Sequence, residues 1–280
     1  QGSPWKGRAR RRARATALGV ATLQIPPAHP IEGPAQPSIC FSGSIASLRD
    51  VSLNNAHLPV RRVQEHALAL APRGDWPASV AAVRQLLDEG MDFSPLTILV
   101  GENGSGKSTI VEAVAGAFGL NVEGGTHNAM QHTQRTESGL LDHLQLVRSG
   151  GSSKKGVFLR AETMHGHLSY LSELNSGRHN FQSHGESFIE FFTDRAGISG
   201  LWIFDEAESA LSFHGCLALM SQIVELLAQG SQVIVSTHSP ILASLPQATI
   251  YELGEWGFQR TLYDELEMVK NWRLYLADPE

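Results

Sequence analysis

From about residue 61 onward, short unbroken apolar runs alternate with stretches in which apolar residues recur every three or four positions. The unbroken runs lie within Leu96–Val100, Gly156–Ala161, Gly200–Phe204 and Gln232–Ser236. Runs of this length, rich in β-branched and aromatic side chains, suit strands covered on both faces. A further strand is predicted over Glu65–Leu70. The three-to-four spacing predicts helices over Pro77–Leu87, with Val80, Val83, Leu86 and Leu87 on one face, and over Ile110–Phe118, Ser138–Arg148, His167–Leu174, Glu186–Arg195 and Leu211–Ala228. Strands alternating with helices in this way imply an α/β fold, a mostly parallel central sheet flanked by helices. The last stretch, Thr261–Leu276, sets Leu262, Leu266, Val269, Trp272, Leu274 and Leu276 among charges. It predicts a helix packed on the sheet edge, with a partner-docking helix as the alternative.

Residues 1–60 have a different character. They are rich in Arg, Ala, Pro and Ser and lack sustained periodicity, so the expected division is a basic segment over 1–60 and a folded domain over 61–280. Three readings of the basic segment stay open: a disordered tail or misassigned start, a targeting peptide, and a basic arm for nucleic acid or an acidic partner.

Charge sharpens the contrast. Of 22 basic residues in the 280-residue chain, six lie within residues 1–31, which carry no acid; the other 16 face 28 acids. An acidic body gives no charge support for nucleic-acid binding. No apolar run is long enough to cross a bilayer, so direct membrane insertion is not expected. Cys40 and Cys216 are far apart and lack metal-ligand spacing, which fits a reducing compartment. A cytoplasmic protein is the expectation.

The candidate chemistry begins at Gly101-Glu102-Asn103-Gly104-Ser105-Gly106-Lys107-Ser108-Thr109. This is the G-x-x-x-x-G-K-[ST] pattern, placed between a predicted strand and a predicted helix. Glycines let successive N–H groups curl around phosphates, and the helix N-terminus adds a favourable dipole. Gly101, Asn103, Gly104, Ser105, Gly106, Lys107, Ser108 and Thr109 are the candidate nucleotide-binding residues. Lys107 is placed to reach the β- and γ-phosphates, and Ser108 to ligate Mg²⁺.

The run Leu201–Phe204 ends in Asp205-Glu206. A strand of this kind delivers its acids to the carboxyl edge of the sheet, where ligands bind. Asp205 is the candidate Mg²⁺ holder, and Glu206 the residue that polarises an attacking water. A further buried run ends in Ser236-Thr237-His238-Ser239-Pro240, placing His238 to touch a γ-phosphate. Glu206, His238 and Lys107 are the candidate catalytic residues.

Together these stretches resemble the ABC class of ATPases. The resemblance is carried by residues 101–109, 182–188, 201–209, Ala210-Leu211-Ser212 and 236–240. The family signature, Leu-Ser-Gly-Gly-Gln, has as its counterpart Gln182-Ser183-His184-Gly185-Glu186, in which Ser183 and Gly185 match and His184 and Glu186 depart. That departure resembles the recombination and chromosome-maintenance ATPases, and still more the stand-alone bacterial ATPases loosely grouped as AAA-family proteins. The resemblance implies a P-loop NTPase fold of the ABC type, with ATP and Mg²⁺ as ligand and cofactor. It also implies a homodimer sandwiching two ATP molecules, with Ser183 and Gly185 contacting the γ-phosphate of the opposite subunit. Ala210-Leu211-Ser212 would then lie at the interface, and Glu162 would either stand where the family carries a glutamine or be simply a charged residue leaving a strand. Taken alone, Ser183 and Glu186 also form a capping box.

The leading function is therefore Mg-dependent ATP hydrolysis by a soluble dimeric switch. Two alternatives stay open: the nucleotide-binding subunit of a transporter, weakened by the short interval from Glu162 to Ser183, and an ATP-binding module with little turnover. A P-loop kinase or GTPase is disfavoured, because the signature and His238 elements have no role there, and a GTPase would also want an Asn-Lys-x-Asp guanine-reading motif, which is absent. No long heptad stretch is present either, so a coiled-coil arm is not expected.

Overall fold

The structure is a computed structural model, describing residues 57–121, 125–126, 139–160 and 199–278. Its core is a seven-stranded sheet. The strands are β3 (Leu96–Gly101), β4 (Gly125–Thr126), β6 (Gly156–Arg160), β7 (Leu201–Asp205), β8 (Gln232–Thr237), β9 (Thr249–Gly254) and β10 (Gly257–Thr261). Their order is β10-β9-β3-β8-β7-β6-β4. The five central strands run parallel, and β10 and β4 close the edges antiparallel. A second, three-stranded sheet orders β2 (Met91–Asp92), β1 (Arg62–Glu65) and β5 (Leu144–Val147).

The apolar runs of the central strands split by parity between two cores. Ile98 and Val100 of β3, Trp202 and Phe204 of β7, and Val233 and Val235 of β8 face one side. There they meet Leu219, Ile223 and Leu227 of α3 (Phe213–Ala228), together with Leu242 of α4 (Pro240–Ala243). Leu99, Ile203 and Ile234 face the other side. They pack on α1 (Ala81–Glu89) and α2 (Lys107–Phe118) through Val83, Leu86, Ile110 and Val114. Two covered faces explain why these strands read as unbroken apolar runs instead of alternating ones. Truncating Trp202 or Phe204, both fully buried, removes roughly 3–5 kcal/mol of stability.

Gln232 joins the segments just before β1 and just after β2 to this core. Its side chain accepts from Val60 N–H at 2.8 Å and donates to the carbonyls of Val60 and Ser94 at 2.6 and 3.0 Å. A fully buried amide is tolerated here because its hydrogen-bonding capacity is largely used.

Several expected elements differ. The strand expected over Glu65–Leu70 ends at Glu65. The Glu65 carboxylate there takes two hydrogen bonds from Arg73 and one from Ala71 N–H, which curls residues 66–73 into a loop. Those Arg73 bonds also hold the Glu65 carboxyl below its ordinary range. The first helix starts at Ala81, not Pro77, and runs on to Glu89, where Gly90 at φ 75° ends it. The helix expected over Ser138–Arg148 is a short 3-10 turn, Leu140–His143, followed by β5. Pairing with β1, Glu65 opposite Leu144 and Arg62 opposite Val147, overrides the local helical spacing. The C-terminal stretch contains a 3-10 turn at Tyr263–Glu265 and then α5 (Glu267–Ala277). Leu266 and Val269 pack into the core, whereas Leu262, Leu274 and Leu276 are exposed, so only the start of α5 lies against the sheet. The hairpin β9–β10 was not expected. The helices expected over 167–174 and 186–195 lie outside the described residues.

Candidate functional site

The loop Gly101–Gly106 leaves β3 and enters α2, as the strand–loop–helix spacing predicts. Gly104 and Gly106 have φ of 82° and 98°, a left-handed conformation that glycine adopts without strain. A Cβ on Gly101 would strike the Leu253 carbonyl of β9, so the loop's first residue is fixed by close packing. Asn103 and Gly104 are exposed at the tip, and Ser105 is half-buried with its hydroxyl unpartnered. Thr109 is half-buried in the first turn of α2.

Lys107 folds back across the loop. Its ammonium donates to the carbonyls of Gly101 and Glu102 at 2.9 and 3.1 Å and lies 2.9 Å from His238 Nε2. Only 3% of the residue is exposed, and burial lowers its pKa against the opposing pull of Glu206, Asp205 and Glu208. His238 Nε2 is also 2.9 Å from Glu206 Oε1, and Lys107 Nζ is 3.9 Å from that same oxygen. The three candidate catalytic side chains therefore meet at one point over the loop.

Asp205 lies at the end of β7 and is 4% exposed. Its Oδ1 accepts from the Ser108 hydroxyl at 3.0 Å. Burial raises the Asp205 pKa, opposed by the hydroxyls of Ser236 and Ser108 and by the Arg160 guanidinium. The Ser236 hydroxyl acts here by proximity, since it closes no hydrogen bond of its own. Glu206 follows at φ 50°, ψ 35°, a left-handed conformation that is costly for a side chain of this kind. Its N–H is held by the Ser236 carbonyl of β8 at 2.9 Å. The strained backbone is thus pinned by the neighbouring strand, and it turns the carboxylate toward His238.

Two contributors were not singled out from the sequence. Glu208 Oε1 accepts from the Thr237 hydroxyl and from His238 N–H, which fixes the tip of β8. Arg160, paired in register with Asp205, bonds Glu112 of α2 at 2.7 Å and lies 3.8 Å from Asp205. A third acid in Asp205-Glu206-Ala207-Glu208, and a cation at the end of the preceding strand, were the available signals. Ser183, Gly185 and Glu162 lie outside the described residues. Ser212 caps α3 by accepting from Gly215 N–H at 3.2 Å.

The site fits a magnesium-bound nucleotide. The ion is usually held by one or two protein oxygens plus phosphate and water. Ser108 and Asp205 already adjoin at 3.0 Å, and among the described residues no cluster of three or more His, Cys, Asp or Glu forms an all-protein cage.

A family model described as an AAA domain (AAA_23) matches residues 80–161, from the cap of α1 through the phosphate loop to the end of β6. Residues 80–161, which hold the phosphate loop, are thus similar to an AAA domain. The described residues form an α/β fold in which a mostly parallel sheet, flanked by helices, carries the phosphate loop. Similar solved structures include a metal-chelate-type ABC transporter in an inward-facing conformation, at 16% identity and TM-score 0.44 over 78% of this chain and 88% of that one. The SMC head domain from Thermotoga maritima is similar at 15% identity and TM-score 0.38, over 62% of this chain and 93% of that one. So is cbiO1 from Clostridium perfringens, part of the ABC transporter complex cbiONQ, at 14% identity and TM-score 0.38, over 68% and 87%. A search of curated proteins gave no match. Among the described residues no helix is long and apolar enough to cross a membrane.

Proposed function

We propose that this protein binds MgATP and hydrolyses it. The observation that carries the reading is His238 Nε2 standing 2.9 Å from both Lys107 Nζ and Glu206 Oε1. One imidazole nitrogen holds either a lone pair or a proton. With the lone pair it accepts from Lys107 but faces the Glu206 carboxylate with no proton between them. With the proton it donates to Glu206 but opposes the Lys107 ammonium. With Lys107 charged and Glu206 ionised, one of the two contacts is therefore unfavourable. An anionic oxygen entering here accepts from Lys107 and from protonated Nε2 together, which relieves the conflict.

In this reading the loop N–H groups and Lys107 hold the β- and γ-phosphates. Ser108 and Asp205 would hold Mg²⁺, which would supply positive charge against the phosphates. Glu206 orients and polarises the attacking water, taking its proton as the bond to the γ-phosphorus forms and the bond to the β,γ-bridging oxygen breaks. His238 donates to the γ-phosphate and loses that contact when phosphate leaves. Arg160 offsets the Asp205 charge from the far side. The chain works as a homodimeric switch that closes on ATP, with Ser183 and Gly185 reaching the nucleotide of the opposite subunit.

The test is phosphate release from MgATP by the full chain, together with the solution mass of Glu206→Gln with and without MgATP. Release of phosphate supports hydrolysis. A monomer that becomes a dimer only with MgATP supports the sandwich. Absence of turnover in protein that binds MgATP would leave an ATP-binding module instead.

A further inference from the structure

A cleft of about 860 Å³ opens beside the phosphate loop. One end is walled by the loop residues from Gly101 to Ser105 and by His238. The other end is walled by the turn of the β9–β10 hairpin and by the start of α5, with Trp256, Met268, Asn271 and Trp272. We propose that Trp256 is the platform on which the purine base of the bound nucleotide stacks.

The indole is set for that task. Gly254 and Gly257 pair across the hairpin and leave Glu255 and Trp256 as its two-residue turn. A Cβ on Gly254 would lie 2.5–2.6 Å from three atoms of the Trp256 ring, so one part of the indole rests directly on the glycine backbone. The residue is nevertheless 59% exposed. A large ring seated on one side and open on the other offers a stacking surface that costs little to immobilise. The hairpin is itself tied down. Phe258 N–H donates to Gln85 of α1 at 2.7 Å, and Tyr251 meets Phe258 edge to face.

The balance of charge, with the helix N-terminus at the loop, orients the nucleotide. The hairpin end carries three carboxylates, Glu252, Glu255 and Glu267, against Glu102 alone at the loop end, and among the described residues no Lys or Arg lines the cleft. Those carboxylates repel phosphates but accept hydrogen bonds from ribose hydroxyls and from the exocyclic amine of a base. The phosphates therefore lie at the loop and the base beneath Trp256. The volume is within the range typical of small-molecule sites.

The proposal rests on the phosphate-loop reading, and one experiment separates the two. MgATP and magnesium tripolyphosphate, which lacks base and sugar, are titrated calorimetrically into the full chain, into Trp256→Ala and into Trp256→Phe. Base stacking on an aromatic ring predicts that Trp256→Ala weakens MgATP roughly ten- to hundredfold. Tripolyphosphate affinity stays unchanged, and Trp256→Phe recovers most of the loss. Equal MgATP affinity in Trp256→Ala and the wild type, with tripolyphosphate still bound, overturns the platform alone and leaves the exposed indole to a protein partner. An equal loss for both ligands gives Trp256 a merely structural role and also overturns it. Failure of the wild type to bind either ligand overturns the phosphate loop and the platform together.

Discussion

The Glu208 carboxylate accepts a 2.7 Å hydrogen bond from the backbone N–H of His238. The same oxygen accepts from the Thr237 hydroxyl, so one side chain from the turn after β7 holds the end of β8. Glu208 is a positioning residue for His238. Glu208→Ala is expected to lower kcat for MgATP hydrolysis about tenfold or more, by letting His238 drift, while KM changes little. Glu208→Gln keeps the accepting oxygen and should restore most of the activity. A loss that Gln fails to recover would point to the charge of Glu208 instead of its geometry.

Glu206→Gln preserves shape and removes the proton acceptor. MgATP binding should persist, while phosphate release falls at least about a hundredfold. A single-turnover assay with excess protein separates the two quantities. Turnover at the wild-type rate would remove Glu206 from the mechanism.

Lys107→Ala removes the ammonium that spans Gly101, Glu102 and His238. Affinity for MgATP and for magnesium tripolyphosphate should both fall, by about tenfold or more, because the lost contacts go to phosphate. Calorimetry with both ligands checks this, and unchanged tripolyphosphate binding would count against the loop.

Asp205 gives a pH signature. Its pKa is raised in the folded chain, chiefly by burial, so the folded state holds this proton more tightly than the unfolded state. The stability linked to this proton is complete below the ordinary carboxylate pKa. It is lost as pH rises through the raised folded value, after which the buried charge is a constant penalty. Asp205→Asn removes that penalty. In metal-free buffer it should raise Tm at about pH 7.5 and leave it nearly unchanged at about pH 3.5, below the ordinary value. An equal Tm difference at both values would contradict the linkage.

Gln232→Leu is nearly the same size and should leave the ATP site untouched. It leaves Val60 N–H without its acceptor and the carbonyls of Val60 and Ser94 without a donor. Loss of about 2–3 kcal/mol of stability follows, read as a lower midpoint in urea. A midpoint equal to the wild type would mean that Val60 finds other partners.

Where local chemistry specifies the structure, the sequence was legible. The phosphate loop needs glycines at left-handed positions and a lysine at the helix start, and these leave a fixed pattern. Asp205 and His238 were legible because a buried strand must end somewhere, and a polar residue at its carboxyl end marks the place. What escaped notice depends on partners distant in the chain. Leu144–Val147 is a strand because β1 lies beside it, more than seventy-five residues earlier. Glu208 matters because Thr237 and His238 come to it, and nothing around Glu208 announces them. The β9–β10 hairpin did leave a signal: Ile250, Leu253 and Phe258 surround Gly254-Glu255-Trp256-Gly257, a glycine-flanked two-residue turn.

The position of β8 between β3 and β7 makes the sheet a ruler. Neighbouring strands lie about 4.8 Å apart, so the backbones that carry the loop and Asp205 are separated by roughly 10 Å. Had the two strands been immediate neighbours, that gap would be halved and the carboxylate would crowd the loop. The intervening strand sets the width of the opening, and the residue just after it, His238, is the histidine that fills it. The dimensions of the site are therefore written into the strand order, and loop sequence adjusts only what lies inside them.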